Sequence, residues 1–177
     1  MTLNRLRQEW ERNDPPVLRT RIGINSGMMA LGNFGSKDVF DYTVMGDAVN
    51  IGARLETANK LYGTYMMISE STYQAVKGQF RTRLLDKLIV KGKTEPVTVY
   101  ELLGHAEEDA IPPLFNTDIL DPYNAGIFHY FQRNWDEAIA SFAEALEIDP
   151  EDGPSQLYLD RCQNYLENPP PDDWDGV

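Results

Sequence analysis

The character of the chain changes at Gly104, and that change limits the folds open to it. Residues 1–104 hold 14 Lys and Arg against 11 Asp and Glu, a net of +3, whereas residues 105–177 hold 2 against 17, a net of −15. Before Gly104 short apolar runs alternate with helical patterns; after it the pattern is helical. A chain of 177 residues divided in this way has room for two small units with modest cores. Residues 105–118, with Glu107, Glu108, Asp109, Pro112 and Pro113, read as the linker between them.

The charge balance also narrows the partners. A small basic excess does not make a non-specific nucleic-acid surface, and the acidic second part repels phosphate backbones, so nucleic acid is not an expected partner. The single cysteine, Cys162, has no partner for an internal disulfide, which fits a reducing compartment and a buried thiol. No run approaches the ~20 apolar residues of a membrane span. The expectation for this segment is cytoplasmic, with any membrane anchor lying upstream. Met1 to Asn13 places Leu3, Leu6 and Trp10 at helical spacing and reads as an amphipathic helix. A lone helix followed at once by a buried-looking strand predicts a truncated beginning.

Asp14-Pro15-Pro16 breaks that helix. Leu18 to Asn25 alternates apolar and polar residues and predicts a strand; Gly27, Gly32, Asn33, Gly35 and Ser36 predict a turn or hairpin. A second strand, Phe40 to Val44, leads through Gly46 into a helix that Asp47 is expected to cap. Ala48, Val49, Gly52, Ala53 and Leu55 give this helix a face of small residues suited to close packing, and Gly63 ends it. Tyr65 to Ile68 predicts a strand, Ser69 to Val76 a capped helix, and Phe80 to Val90 and Val97 to Leu103 two strands joined by the turn Lys91 to Pro96.

The strand-to-helix passage Phe40 to Glu56 carries the chemistry. Asn50 and Arg54 stand four apart, so an amide and a guanidinium share one helical face. A guanidinium suits bidentate contact with phosphate and an amide can orient a sugar oxygen. On spacing alone, a solvated polar face is the better explanation of the pair.

Four runs taken together identify more. Arg21-Ile-Gly-Ile-Asn-Ser-Gly27, Gly32-Asn-Phe-Gly-Ser36, Tyr42-Thr-Val-Met-Gly-Asp-Ala-Val-Asn-Ile-Gly-Ala-Arg-Leu-Glu56 and Val90-Lys-Gly-Lys93 resemble, in this order and spacing, the class III nucleotide cyclases over about residues 17–104. The resemblance implies the C-terminal half of a bacterial-type adenylate or guanylate cyclase catalytic domain. In that family the ribose 3′-hydroxyl attacks the α-phosphate of a nucleoside triphosphate, releasing pyrophosphate and a cyclic monophosphate.

Carried over residue by residue, the resemblance makes Asn50 the ribose-orienting residue and Arg54 the one that stabilises charge on the phosphate. Thr43 becomes the base contact, where a hydroxyl favours ATP and guanylate cyclases usually carry Cys. Lys91, with Lys93 close by, becomes the ligand of the terminal phosphates. Read without the family, Thr43 is a strand residue and the two lysines are turn residues. The family also uses two Mg²⁺ or Mn²⁺ ions held by two aspartates of the N-terminal half. Asp38, Asp41 and Asp47 do not match those positions and read as turn and cap residues, so no metal ligand is assigned to this chain. The metals are expected from a missing N-terminal half or from a second cyclase subunit in a dimer whose interface forms the site.

Beyond the linker, Gly126, Ala138, Phe142, Ala145 and Pro150 resemble one tetratricopeptide unit, with a following helix from Pro154 to Leu166. Such a unit packs on the cyclase half or recruits a protein partner; a helical appendage with no partner explains the pattern equally well. The expected fold class is α+β: a ferredoxin-like cyclase half-domain over 1–104, with an incomplete sheet and helices on one face, plus a small all-α extension over 119–167. Residues 168–177 are expected to form a disordered tail. The expected function is adenylate cyclase activity within intracellular signalling. The alternatives are a non-catalytic dimerisation or interaction module, or a guanylate cyclase fragment.

Overall fold

The computed structural model describes residues 20–36, 39–89, 96–107 and 115–176. The N-terminal helix expected over Met1 to Asn13, the Asp14-Pro15-Pro16 break, Asp38, the turn bearing Lys91 and Lys93, and the middle of the linker, residues 108–114, lie outside the described residues.

Among the described residues six strands and five helices follow in order: β1 (Ile22–Ile24), β2 (Ala30–Gly35), β3 (Phe40–Met45), α1 (Asp47–Tyr62), β4 (Met66–Ser69), α2 (Glu70–Val76), β5 (Phe80–Leu88), β6 (Val97–His105), α3 (Leu120–Phe131), α4 (Trp135–Ile148) and α5 (Gly153–Glu167). A short 3₁₀ turn, Thr117–Ile119, precedes α3. The α+β class expected from the alternating patterns is the class observed. β1, β4, β6 and β5 form one sheet in that order, β1 parallel to β4 and the other pairs antiparallel. β2 and β3 form a separate antiparallel hairpin with Gly32 opposite Thr43.

Most of the elements follow from local signals. Ser69 caps α2, its side chain accepting from Thr72 N. Gly63 ends α1 in the left-handed region, φ 68°, as its position after the last helical residue predicts. One local expectation fails: the N-cap of α1 is Gly46, not Asp47, and no side chain caps the helix. Gly46 has φ 147°, a conformation that glycine reaches without the steric cost of a Cβ, and this shifts the helix start by one residue. Asp47 is then the first helical residue, where its charge still complements the helix N-terminus.

α1 packs on the sheet, where Ile51, Leu55 and Tyr62 meet Met67 of β4, Leu85 of β5 and Val99 of β6. A second core joins α3, α4 and α5 through Tyr123, Tyr130, Ala138, Phe142, Tyr158 and Cys162. The extension is fastened to the sheet by buried polar contacts. Tyr123 Oη donates to Leu84 O at 2.9 Å and Tyr158 Oη to Leu85 O at 2.6 Å. Arg83, 3% exposed, donates to Glu101 at 2.7 Å and to Asp152 at 2.7 Å. Burial opposes the Arg83 cation, but the two carboxylates more than offset this and hold its pKa above the ordinary value.

The tail expected to be disordered lies against the helices. Trp174 packs edge-on to Tyr130, 5.3 Å between centroids, and near Trp135 and Tyr165. Arg133 Nη2 donates to the carbonyl oxygens of Pro171 and Asp172 at 2.7 and 3.0 Å. Among the described residues no helix is long and apolar enough to cross a membrane.

Candidate active site

The buried stripe of α1 consists of Ile51, Leu55, Asn59 and Tyr62. Successive residues of a helix are turned by ~100°, so Asn50 and Arg54, each one residue before a buried position, share the flank adjoining that stripe. Asn50 is exposed and Arg54 partly buried. Thr43, also exposed, sits on β3 three residues before the Gly46 turn. The structure therefore gathers Asn50 and Arg54 on one flank of a formed helix and puts Thr43 on the strand that leads into it. Lys91 and Lys93 lie outside the described residues.

What holds that flank in place is the β1–α1 interface, of which the sequence had offered the small residues Ala48 and Gly52 but neither of the asparagines that tie it. Asn25, just after β1, donates from Nδ2 to Ala48 O at 2.9 Å. Its Oδ1 accepts from Ser71 Oγ at 3.1 Å, and the same hydroxyl reaches Ser26 O at 2.7 Å. At the other end Asn59, fully buried, donates from Nδ2 to Ile22 O at 3.1 Å and to Leu55 O at 2.9 Å, and accepts from Thr64 Oγ1 at 2.8 Å. A buried amide with its hydrogen-bonding groups engaged fixes orientation as well as burying surface. Asn59 left a signal: it is the one polar residue on the apolar spacing 51, 55, 59, 62.

Between these ties Gly23 lets the backbones touch. A Cβ there would run into Gly52 O and Glu56 N. Below them, Tyr62 donates its hydroxyl to Asp86 at 2.6 Å, and burial together with that carboxylate pushes its pKa up.

An open cleft of about 580 Å³ runs along the first turn of α1, lined by Asn25, Ser26, Asp47, Ala48 and Ile51 among others. Its lining contains none of Thr43, Asn50 and Arg54. Among the described residues no three Asp, Glu, His or Cys side chains converge into a group able to hold a metal ion. No chemical step through the metal pair that the family resemblance implies is assigned to the described residues.

The comparisons agree with the motif reading. The family model of the adenylate and guanylate cyclase catalytic domain matches residues 2–104. The terminal-differentiation-specific adenylate cyclase of Dictyostelium discoideum is 34% identical over 148 residues, covering 82% of this chain and 7% of that protein. That match is longer than residues 2–104 and so takes in part of the helical extension. Adenylate cyclase 1 of Rhizobium meliloti is 38% identical over 89 residues, 50% of this chain and 13% of its own length. The crystal structure of the adenylyl cyclase CyaB from P. aeruginosa is 31% identical, with a TM-score of 0.49 over 64% of this chain and 55% of that one. The chain spans less than a fifth of the length of the curated relatives it matches. On the match to residues 2–104, more than half of its length, the chain belongs to the adenylate and guanylate cyclase catalytic-domain family.

Proposed function

We propose that residues 17–104 form the substrate-orienting and charge-stabilising flank of an adenylate cyclase site. In the reaction the ribose 3′-oxygen of ATP bonds to the α-phosphorus and the bond from that phosphorus to the pyrophosphate oxygen breaks. The hydroxyl proton passes to solvent or a base, and cyclic AMP and pyrophosphate leave. Asn50 orients the ribose, Arg54 neutralises charge growing on the phosphate, and Thr43 contacts adenine. Lys91, with Lys93, meets the terminal phosphates. Such a reaction depends on positioning and charge neutralisation more than on covalent help from the protein.

The observation that carries this reading is the placement of Asn50 and Arg54 on one flank of a helix tied to β1 at both ends. Named adenylate cyclases among the relatives favour ATP as substrate. Mg²⁺ or Mn²⁺ is assigned to an upstream half or to a second cyclase subunit. A second subunit also has a surface waiting for it: Leu31, Phe40 and Tyr42, which the register puts on one face of the β2–β3 hairpin, are each more than half exposed. The same surface is what a non-catalytic dimerisation module would need, so it supports assembly and not chemistry.

We read α3 and α4 as one tetratricopeptide-like unit, in which Gly126 allows the Phe142 ring to lie against the α3 backbone. The division into a cyclase half, a linker, a helical unit and a tail belongs to this proposal.

A complementation assay tests it. The purified 177-residue chain with ATP and Mn²⁺ is expected to form no cyclic AMP. Mixed with a cyclase polypeptide that keeps its metal aspartates but has lost its own Asn and Arg pair, it is expected to restore turnover. Turnover by the chain alone, or none in the mixture, overturns the reading.

A further inference from the structure

One face of α5 encloses the C-terminal end of the helix that bears Asn50 and Arg54. Gly153, Leu157 and Arg161 recur every four residues, so they share that face. Gly153 abuts the last turn of α1 backbone to backbone: a Cβ on it would run into Tyr62 O. One turn on, Leu157 packs against the core that contains Ile51, Leu55 and Tyr62. One turn further, Arg161 Nη1 donates to Asp86 Oδ2 at 2.6 Å. The same oxygen accepts from the Tyr62 hydroxyl at 2.6 Å, while Asp86 Oδ1 accepts from Lys87 N at 2.8 Å. Asp86 is 3% exposed and Tyr62 fully buried. The carboxylate thus joins the end of α1 to the extension inside the protein, where a charge left without its partner is strongly disfavoured.

A helix transmits the placement of one end to the other. Arg54 lies eight residues from Tyr62 and Asn50 twelve, about 12 and 18 Å along the axis. The opposite end of α1 begins at Gly46 with no side-chain cap. We propose that α5 is a positioning element of the candidate site: Arg161, acting through Asp86 and Tyr62, holds α1 in the orientation that Asn50 and Arg54 require. The proposal rests on the cyclase reading of those two residues. It makes the extension a working part of the catalytic unit, and Arg161, Asp86 and Tyr62 positioning residues that touch no substrate.

The test has two arms, and the first needs no activity. Amide hydrogen exchange is followed in the 177-residue chain and in Arg161→Leu. Exchange is expected to rise about tenfold or more in α1 from Ala58 to Tyr62, to extend to Asn50–Arg54, and to stay unchanged in α4. In the second arm, the complemented assembly carrying Arg161→Leu is expected to lose about tenfold in kcat with little change in KM for ATP. Arg161→Lys is expected to recover part of the loss. Tyr62→Phe, which removes one donor to Asp86 without touching α5, is expected to lower kcat in the same direction, and it carries the test if Arg161→Leu does not fold. Unchanged α1 exchange, or a wild-type kcat in folded Arg161→Leu and Tyr62→Phe, overturns the proposal. A wild-type assembly that makes no cyclic AMP refutes the cyclase reading instead, while the exchange arm still decides whether α5 holds α1.

Discussion

Gly23 of β1 and Gly52 of α1 face each other across one interface, but only Gly23 has to be a glycine. A Cβ on Gly23 would collide with the backbone of α1 at Gly52 and Glu56, atoms that cannot move without displacing the helix. A Cβ on Gly52 would meet Gly23 O at 3.7 Å and Asn25 Cβ at 4.0 Å, ordinary contacts. Gly23→Ala is therefore predicted to destabilise the chain by about 1–3 kcal/mol, the usual range for overpacking. Gly52→Ala is predicted to be neutral or stabilising by up to about 1 kcal/mol, because alanine is the better helix former. Urea denaturation of both variants checks the asymmetry, and equal effects would mean that the helix sits farther from β1 than described.

Arg54→Ala in the complemented assembly is predicted to lower kcat by about a hundredfold or more while changing KM for ATP much less. A preorganised donor that acts on charge developing in the transition state has this signature. Arg54 is partly buried beside the core stripe, which limits the water that competes for it. Initial-rate kinetics over a range of ATP concentrations decide the matter; a change in KM alone would reduce Arg54 to a ground-state binding residue.

The elements that local signals specify were legible in the sequence. Ser69 at the start of α2 and Gly63 at the end of α1 act through their nearest neighbours, so their chemistry is local. The four-residue spacing of Asn50 and Arg54 was legible for the same reason, since a helix converts spacing directly into a shared face. The hairpin strand Ala30–Gly35 was harder: its glycines signal a turn, and only the register with Phe40–Met45 makes it a strand. Long-range polar pairs left the least trace. Arg83 meets Asp152 across 69 positions and Arg161 meets Asp86 across 75, distances over which no periodicity or motif reports a contact. Trp174 falls in the stretch expected to be a disordered tail, although one aromatic residue was enough to seat it against Tyr130 and Trp135.

Cys162 provides a prediction about pH. Its thiol is buried, and burial pushes its pKa up to about 12, although Arg161 beside it works in the opposite direction. An unfolded cysteine titrates near 8.5. The raised value means that the folded chain binds this proton more tightly, so the contribution is complete below about pH 8.5 and is lost as pH rises through about 12. Native protein at pH 8 is predicted to react with a thiol reagent far more slowly than urea-unfolded protein. The alkaline fall in stability is predicted to be smaller in Cys162→Ala. Fast stoichiometric labelling of the native chain would contradict the burial on which both expectations depend.

Thr43 stands on the exposed hairpin strand, opposite Gly32, three residues before the turn into α1. The small partner leaves its hydroxyl unobstructed on that pair, and a hydroxyl can accept from the exocyclic amino group of adenine, which guanine lacks at that position. A single hydrogen bond contributes a net of about 0.5–1.5 kcal/mol, which corresponds to roughly two- to twelvefold in selectivity. Thr43→Val keeps the branched shape suited to a strand and removes only the hydroxyl. In the complemented assembly it is predicted to reduce the ratio of kcat/KM for ATP to that for GTP within this range and not to abolish it, the remaining discrimination coming from the other half of the site. Measuring both efficiencies in wild type and variant settles the assignment, because an unchanged ratio would leave Thr43 as a strand residue and remove the one side chain of this chain that argues for ATP.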